Sequence, residues 1–532
     1  MSALPAVVRG AGVEAIPTTR RAVGVRAALA GLEVGTAVAT AILLLGWSRG
    51  IDVNPLDRVG QVSGLAAVQL RFAVMVFVLI GVFTAATRRW PERRGLVLRL
   101  SCAALAGLAT AVTAAGLTVA LSGTPWPLFA NGGDAGLLSA WAGAVRAGEG
   151  VPLSYPPAFA HVLAGYSALV DMDPIYALKH LQIVGTALIG PTSYCAWRLL
   201  LSPVRALVLG VVAALPFVDA YKPSTYMVLI ALLPVLIYLG RALRQSPGWT
   251  GRRCAVAGAV LGVVLGMLFL SYSGWFVWSA PGALVAMLLL FPWRESIGRG
   301  LVLLGTSAVV FAVVAAVHLI PLLRGVGSVK DTYVYFDVLV EPAYVAMWQN
   351  EFAGGVVTWP PGELGGVGLF TVVLVIGLGA ALWIGARHAL VVVTACVLAG
   401  AWVIRFVVAA AMYETGTVQL WPRTTMQILY CLVVLTGYAL LLGLNSVRSF
   451  VTDRDMVRGV DQAERSGGSH RGVPAVAVLG AAALLFASAG SATADRYMPR
   501  NDDSTGYLAW VAHTTRTLTG DCPSRAPAGE CR

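Results

Sequence analysis

Of the 532 residues in the chain, 58% are hydrophobic and only 12% are charged, whereas about 25% of the residues in a typical soluble domain are charged. This composition excludes an ordinary soluble domain and indicates an integral membrane protein. The formal net charge of +12 does not indicate a nucleic-acid partner. The arginines lie in short clusters between apolar runs, and no basic domain or groove-sized basic stretch exists to bind nucleic acid.

The chain begins with residues 1–26, which contain four arginines but no small-residue cleavage site after a short apolar core. We therefore expect a cytoplasmic tail rather than a removed signal peptide. Thirteen apolar runs follow and predict an all-α polytopic bundle of about 13 transmembrane helices, in contact with the lipid bilayer. The runs lie at about 27–47, 66–87, 96–121, 174–198, 206–219, 224–240, 254–272, 276–293, 299–321, 366–386, 388–411, 425–444 and 474–493.

The basic clusters predict how this bundle is oriented in a plasma membrane. The second run ends in the cluster 88–94, which contains four arginines, so the loop at that point is expected to be cytoplasmic and the loop before it outside. The predicted organisation is a transmembrane domain at 27–493 with a large outer loop at about 122–173, followed by an extracytoplasmic tail at 494–532. The short apolar stretch that ends at Val170 is too short to cross and is expected to be re-entrant or interfacial.

The seven cysteines fall into two groups. Five lie in or beside apolar runs, where a free cysteine behaves as a small hydrophobe, and they have no metal-ligand spacing. Cys522 and Cys531 lie nine residues apart in the polar tail, which suggests a disulfide in an oxidising compartment. The alternative is two free thiols. An odd number of spans places this tail outside, which agrees with the disulfide. No metal site is predicted, and a divalent cation as cofactor is left open.

The predicted outer loop contains an acidic residue beside two glycines, in the segment Asn131-Gly132-Gly133-Asp134, and the segment Tyr155-Pro156-Pro157 follows about twenty residues later. Glycines at a membrane surface allow the backbone to bend closely around a ligand. We predict that Asp134 is a catalytic carboxylate. The alternative is an ordinary capping Asp at the start of a helix Ala135–Arg146.

Further polar and aromatic side chains concentrate on the predicted outer face. Lys222 and Arg423 are candidates for binding a phosphate, because each lies in an outer loop where the positive-inside rule does not favour a cation. Lys222 could instead pair with Asp219, and Arg423 could be a snorkelling anchor. Ionisable groups within or near the apolar runs usually face a cavity or a partner; these are Arg71, His318 and Arg405. The aromatic candidates for substrate binding are Trp141, Tyr155, Tyr226, Tyr272 and Trp275.

Common catalytic motifs are missing from the sequence. It contains no Gly-rich phosphate loop, HExxH, CxxC pair or GxSxG, so ATP hydrolysis, zinc chemistry and serine hydrolysis have no motif support. The predicted soluble parts are also too small for a nucleotide-sugar domain. A sugar transferase of this kind would take its donor from the bilayer.

Over about residues 25–445 the pattern resembles the GT-C type of polyprenyl-phosphate-sugar glycosyltransferases. More narrowly, it is similar to the actinobacterial galactan 5-O-arabinofuranosyltransferases, which add the first arabinofuranose to cell-wall galactan. The resemblance depends on the acid in an early outer loop and on four short motifs. These motifs are Tyr155-Pro156-Pro157, Ala177-Leu178-Lys179-His180, the turn Tyr221-Lys222-Pro223-Ser224-Thr225-Tyr226 and the aromatic turn 271–278.

The resemblance implies a GT-C-like bundle that moves arabinofuranose from a polyprenyl-phosphate donor to a cell-wall or envelope glycan, with inversion of configuration. Asp134 would be the general base, and Lys222, Lys179 or Arg423 would neutralise the donor phosphate. One departure is that these family members have a sizeable outer domain after the last span, whereas only the tail 494–532 follows here. The acceptor glycan is therefore left open. The alternatives are a polyprenyl-phosphate-mannose donor, a transporter for a lipid-linked saccharide, and a structural membrane scaffold.

Overall fold

A computed structural model describes residues 20–152, 155–325, 369–415, 424–458 and 473–531. Within these ranges the chain is helical and contains no strand, which confirms the predicted all-α class. The helices are α1 (Arg20–Ser48), α2 (Arg58–Arg89), α3 (Arg94–Ala120), α4 (Gly133–Arg146), α5 (Ala158–Leu169), α6 (Pro174–Arg198), α7 (Pro203–Phe217), α8 (Pro223–Gln245), α9 (Gly251–Ser271), α10 (Gly274–Leu290), α11 (Ile297–Arg324), α12 (Leu369–Gly385), α13 (Ala389–Ala410), α14 (Met412–Thr415), α15 (Thr424–Arg458), α16 (Val473–Arg496) and α17 (Tyr507–Thr514).

Each predicted apolar run corresponds to a helix in the described residues, but the predicted number of spans is not confirmed. Nine of the described helices are long and apolar enough to cross a membrane: α1, α2, α3, α8, α9, α11, α13, α15 and α16. Three predicted spans, α7, α10 and α12, form shorter apolar helices, and the thirteenth, α6, is not among the nine. The 17 residues of α10 extend only about 25 Å, which is less than the roughly 30 Å of a bilayer core.

Large apolar side chains remain exposed along the long helices. Phe77 of α2 is 74% exposed and Val313 of α11 is 71% exposed. Apolar surface of this extent is rare on soluble monomers, whereas helices that satisfy their own backbone groups can present such a surface to lipid. The apolar helices and their exposed side chains indicate a multi-pass membrane protein.

Helix α3 lies at the centre of one half of the bundle. Its residues from Ser101 to Ala120 are buried almost without exception, and α1, α2, α6 and α16 pack around it. The sequence of α3 explains this position, because its Ala, Gly and Thr side chains are small enough for neighbouring backbones to approach closely. A Cβ atom added to Gly107 would lie 2.1 Å from the carbonyl oxygen of Ala37 in α1.

Threonine hydroxyls join α3 to its neighbours. The hydroxyl of Thr110 donates to the carbonyl of Ala187 in α6 and accepts from the amide of Gly190, both at 2.9 Å. The hydroxyl of Thr113 donates to the carbonyl of Gly490 in α16 at 3.2 Å. These bonds satisfy polar groups in an apolar interior. They also fix the positions of α6 and α16 along the axis of α3.

The segment that follows α16, which we call the C-terminal segment, packs against one end of the bundle. We call this end the Asp134 end, because the loop 121–132 leads there to Asp134; the loops 49–57 and 218–222 lie at the same end. The amide of Ser524 donates to the carbonyl of Gly123 at 3.2 Å, and Arg525 forms an ion pair with Asp52. A disulfide joins Cys522 to Cys531. The predicted tail 494–532 therefore packs against the early loops.

The packing around α3 gives a stability prediction. Gly107→Ala should lower the free energy of unfolding by about 1–3 kcal/mol, because the added methyl group would collide with the backbone of Ala37. Gly81→Ala in α2 is the matched control, since nothing lies within 4 Å of a Cβ atom there. The control should be neutral or slightly stabilising. Thermal midpoints of the detergent-solubilised variants measure both changes, and equal midpoints would contradict the close approach.

Candidate functional site

The loop that leads from α3 to Asp134 contains unusual backbone angles. Phe129, Ala130 and Gly133 have φ values of 69°, 49° and 50°. A left-handed conformation costs a non-glycine residue roughly 1–2 kcal/mol, and such residues tend to cluster at functional sites when the surrounding structure holds them. Here the amide of Phe129 donates to the carbonyl of Leu508 in α17 at 2.8 Å. The amide of Leu128 donates to the side chain of Gln182 at 2.9 Å.

Asp134 lies in the first turn of α4, which begins one residue before it. The N-cap residue of this helix is Gly132, with an extended backbone conformation. The alternative interpretation of Asp134 as an ordinary capping residue is therefore wrong. A carboxylate in the first turn still interacts favourably with the positive end of the helix dipole, and its side chain is not needed to cap the helix.

The carboxylate of Asp134 forms an ion pair with the ammonium group of Lys222. The two residues lie on different segments, since Lys222 precedes α8. The Asp134 side chain is 24% exposed and that of Lys222 is 30% exposed, so the pair is partly desolvated and still accessible from outside the protein.

Tyr221 contacts both the segment of Asp134 and the side chain of Lys222. Its hydroxyl accepts a hydrogen bond from the amide of Ala135 at 3.2 Å, which is one of the amides at the start of α4. Its ring lies 5.5 Å from the Lys222 ammonium group. The backbone carbonyl of Tyr221 accepts from the buried side chain of Gln182 at 3.2 Å. The loops that carry Asp134 and Lys222 are thus tied together by one tyrosine and one glutamine.

Asp219, which the sequence offered as an alternative partner for Lys222, shapes the turn before it. Its carboxylate accepts from the amide of Tyr221 at 2.8 Å and from the hydroxyl of Tyr497 at 3.0 Å. The same tyrosine hydroxyl accepts from the amide of Ala220 at 3.0 Å. These contacts fix the turn that presents Lys222 to Asp134.

The two other predicted phosphate-binding residues have different placements. The ammonium group of Lys179 donates to the carbonyls of Leu121, at 2.9 Å, and Thr124, which lie just beyond the end of α3. These carbonyls have no partners within a continuing helix, so Lys179 supports the start of the loop. Arg423 lies outside the described residues.

The predicted aromatic residues form two groups. Trp141 of α4 contacts Tyr155, with ring centroids 4.3 Å apart, on the same segment as Asp134. Trp275 is buried, and its indole NH donates to the carbonyl of Thr225 at 2.8 Å. Tyr226 and Tyr272 lie against the Trp275 ring, with centroids 6.1 Å and 5.6 Å away. The second group therefore joins α10 to α8, and only the first is part of the Asp134 segment.

The ionisable residues within the apolar helices have local partners. Arg405 donates to the hydroxyls of Thr424 and Thr425, and His318 lies 3.2 Å from the hydroxyl of Ser273. Arg71 donates to the carbonyl of Ala67 in its own helix. Among the described residues, no group of three or more His, Cys, Asp or Glu side chains could hold a metal ion.

Three polar residues that contribute to the structure were not singled out in the sequence. Gln182 joins the two loops of the site. Glu33 is buried within the first apolar run and is held by Arg198 at 2.7 Å and Arg99 at 3.6 Å. His513 of α17 is fully buried, and its Nε2 donates to the carbonyl of Ala120 at 2.9 Å. Isolation within an apolar run was the available signal for Gln182 and Glu33.

The arrangement as a whole can accept a proton at one group and bind an anion at the other. A carboxylate is a general base when a hydroxyl lies within hydrogen-bond reach, and an ammonium group attracts phosphate oxygens. No family model matches the chain, and no curated protein matches it. The chemistry of the site therefore follows from its own side chains.

The burial of His513 gives a prediction about pH. Burial lowers the pKa of this histidine to about 4 from 6.5. The hydrogen bond to the carbonyl of Ala120 opposes this shift, whereas the nearby charges of Lys179 and Arg525 add to it. Between these values the undocked segment binds a proton that the docked segment does not. Docking of α17 should therefore weaken as the pH falls from 6.5 towards 4, by up to about 3 kcal/mol.

Amide hydrogen exchange of residues 507–514, measured at pH 7 and pH 5 and corrected for the intrinsic exchange rate, tests this expectation. Protection should decrease at pH 5 in the natural protein and change less in His513→Gln, whose side chain does not titrate. The same loss of protection in both proteins would show that another group controls docking.

Proposed function

We propose that this chain is a membrane glycosyltransferase that moves a sugar from a polyprenyl-phosphate donor to an envelope glycan. The contact between Asp134 and Lys222 is the observation that supports this proposal most directly. It combines a carboxylate and a cation, the two charges that such a transfer needs. Both side chains are partly exposed, and a loop with left-handed backbone conformations leads to the carboxylate. The surrounding apolar helices favour a donor that is itself held in lipid.

In the proposed reaction, Asp134 takes the proton from a hydroxyl group of the acceptor. The acceptor oxygen then forms a bond to the anomeric carbon of the donor, while the bond between that carbon and the phosphate oxygen breaks. Polyprenyl phosphate leaves with the bonding electrons, and Lys222 neutralises its negative charge. A single displacement of this kind inverts the anomeric configuration. We propose arabinofuranose as the sugar, as the sequence resemblance implies.

The ion pair suggests how binding and base catalysis are connected. The donor phosphate competes with Asp134 for the ammonium group of Lys222, because both are anions of similar hydrogen-bonding capacity. Once Lys222 contacts the phosphate, the carboxylate is available to the acceptor hydroxyl. Tyr221 keeps both groups in place during this exchange, since it directly precedes Lys222 in the chain and its hydroxyl contacts the amide of Ala135 beside Asp134.

We assign the phosphate role first to Lys222, because it lies directly beside the proposed base. The two carbonyl contacts of Lys179 favour a structural role for that residue. Arg423 remains a candidate on its sequence position alone. Trp141 and Tyr155 are the aromatic residues whose position favours contact with a sugar, because they lie on the segment that carries Asp134.

Replacement of the proposed base is the central test. Asp134→Asn keeps the shape of the side chain but cannot accept the proton, so transfer should fall by about 10²–10⁴-fold. Glu149→Gln is the matched control, because Glu149 is an exposed acid just beyond the same helix. Membranes containing each variant are supplied with radiolabelled polyprenyl-phosphate arabinose or mannose and a galactan oligosaccharide. Retention of transfer by Asp134→Asn would remove this residue from the role.

The two lysines should respond differently to replacement by methionine. Lys222→Met should raise the KM for the lipid-phosphate donor by about tenfold or more, since it removes a charged contact to phosphate. Lys179→Met should lower the thermal midpoint, because the two carbonyls beyond α3 lose their donor. Donor titrations and melting curves on both variants separate the two roles. A larger increase in the donor KM for Lys179→Met than for Lys222→Met would reverse the assignment.

A further inference from the structure

A groove lies at the Asp134 end of the bundle, between the loop that follows α1 and the C-terminal segment. Its volume is about 870 Å³, which falls within the range of ligand sites in proteins. The residues that line it include Asp52, Asn54 and Asp57 from the loop, and Trp510, Ser524 and Arg525 from the C-terminal segment. No residue that we assign to the reaction is among them.

The walls of the groove are fixed by contacts between the two segments. Arg525 pairs with Asp52, and the hydroxyl of Ser524 donates to the carbonyl of Gly123 at 3.0 Å. The disulfide between Cys522 and Cys531 closes a covalent ring that includes Ser524 and Arg525. The groove is therefore a constrained feature, because the ion pair joins its two sides and the covalent ring restricts one of them.

The chemistry of the lining favours a neutral, hydroxyl-rich ligand. Trp510 is half-buried and offers an indole ring, while Asp52 and Asn54 are exposed on the loop. Carboxylates and amides accept hydrogen bonds from hydroxyl groups, and an indole ring provides a flat apolar surface for the face of a sugar. The carboxylates of Asp52 and Asp57 disfavour an anionic ligand.

Helix α17 lies beside both the groove and the last part of the loop that leads to Asp134. The carbonyl of Leu508 accepts from the amide of Phe129 in that loop, whereas Trp510 lines the groove. Neither Asp134 nor Lys222 lines the groove. A ligand in the groove would therefore bind at residues other than the proposed reacting pair.

We propose that this groove binds sugar units of the acceptor glycan that are distant from the reacting hydroxyl. The assignment to an acceptor rests on the proposed function, whereas the binding of a saccharide does not. The groove would hold a long glycan by several units while its end reaches Asp134. Long acceptors should therefore be preferred over short ones.

Binding is tested directly on full-length protein in detergent that carries Asp134→Asn, so that no transfer consumes the ligand. The probes are hexasaccharides of galactan, arabinan and mannan, observed by saturation-transfer NMR and titration. At least one should bind, and Trp510→Ala should weaken its binding by about tenfold or more, as is typical for a buried tryptophan contact. Absence of binding by all three probes would overturn the proposal.

A second variant tests the groove independently, in case Trp510→Ala does not fold. Ala526 lines the groove and Ala528 is exposed on the same tail outside it. Ala526→Trp should block the groove and abolish saccharide binding. Ala528→Trp should bind the saccharide as tightly as the protein without this substitution. Melting curves check that both variants remain folded. Equal binding by the two variants would place the saccharide elsewhere.

The transfer assay separates this proposal from the proposed function. If transfer occurs, Ala526→Trp should reduce the preference for a galactan hexasaccharide over a disaccharide, and an unchanged preference would refute the groove as an acceptor site. If no transfer occurs but binding depends on Trp510 and Ala526, the glycosyltransferase proposal fails while the saccharide site stands.

Discussion

The close packing of small side chains around α3 is the constraint on which the rest of this structure depends. The glycines and threonines of this helix bring α1, α6 and α16 within backbone contact, so α3 has little freedom to slide or tilt. Its C-terminal end is therefore a fixed point. Lys179 contacts the first carbonyls beyond that end, and the loop to Asp134 starts from a defined position.

The geometry of that loop follows from how its ends are held. Two non-glycine residues adopt left-handed conformations just before Asp134, and isolated peptides would relax to other conformations. The loop is prevented from relaxing by Gln182 on one side, α17 on another, and Tyr221 at the start of α4. The position of the carboxylate is thus decided by packing at three separate places, and its ion pair with Lys222 is a result of this arrangement.

Much of the helical framework could be predicted from the sequence, because apolar runs are local features. The predicted run 174–198 coincides with α6, and the short stretch ending at Val170 is a short helix. The number of spans was less predictable, since hydropathy reports apolar character and not whether a helix is long enough to cross. The spacing of Gly258, Gly262 and Gly266 at intervals of four was also visible in the sequence, and these glycines lie against the backbone or side chains of α11.

The site itself was only partly predictable. Asp134 and Lys222 were each selected for chemical reasons, but their contact joins segments far apart in the chain and depends on tertiary structure. Lys179 was selected by resemblance, whereas its carbonyl contacts depend on where α3 ends. The role of α17 could not be inferred, because its buried histidine and its carbonyl contact to Phe129 have no local pattern that distinguishes them from an ordinary polar tail.

The bond between Gly123 and Ser524 connects residues 401 positions apart, and this separation has a consequence for biosynthesis. The ribosome makes the loop before α4 early, yet the segment that contacts it follows about 400 residues later. A nascent chain that has inserted α1–α16 still lacks this contact until Ser524 emerges and folds back. Termination before Ser524 would thus leave a membrane-inserted product in which the Asp134 loop lacks this support.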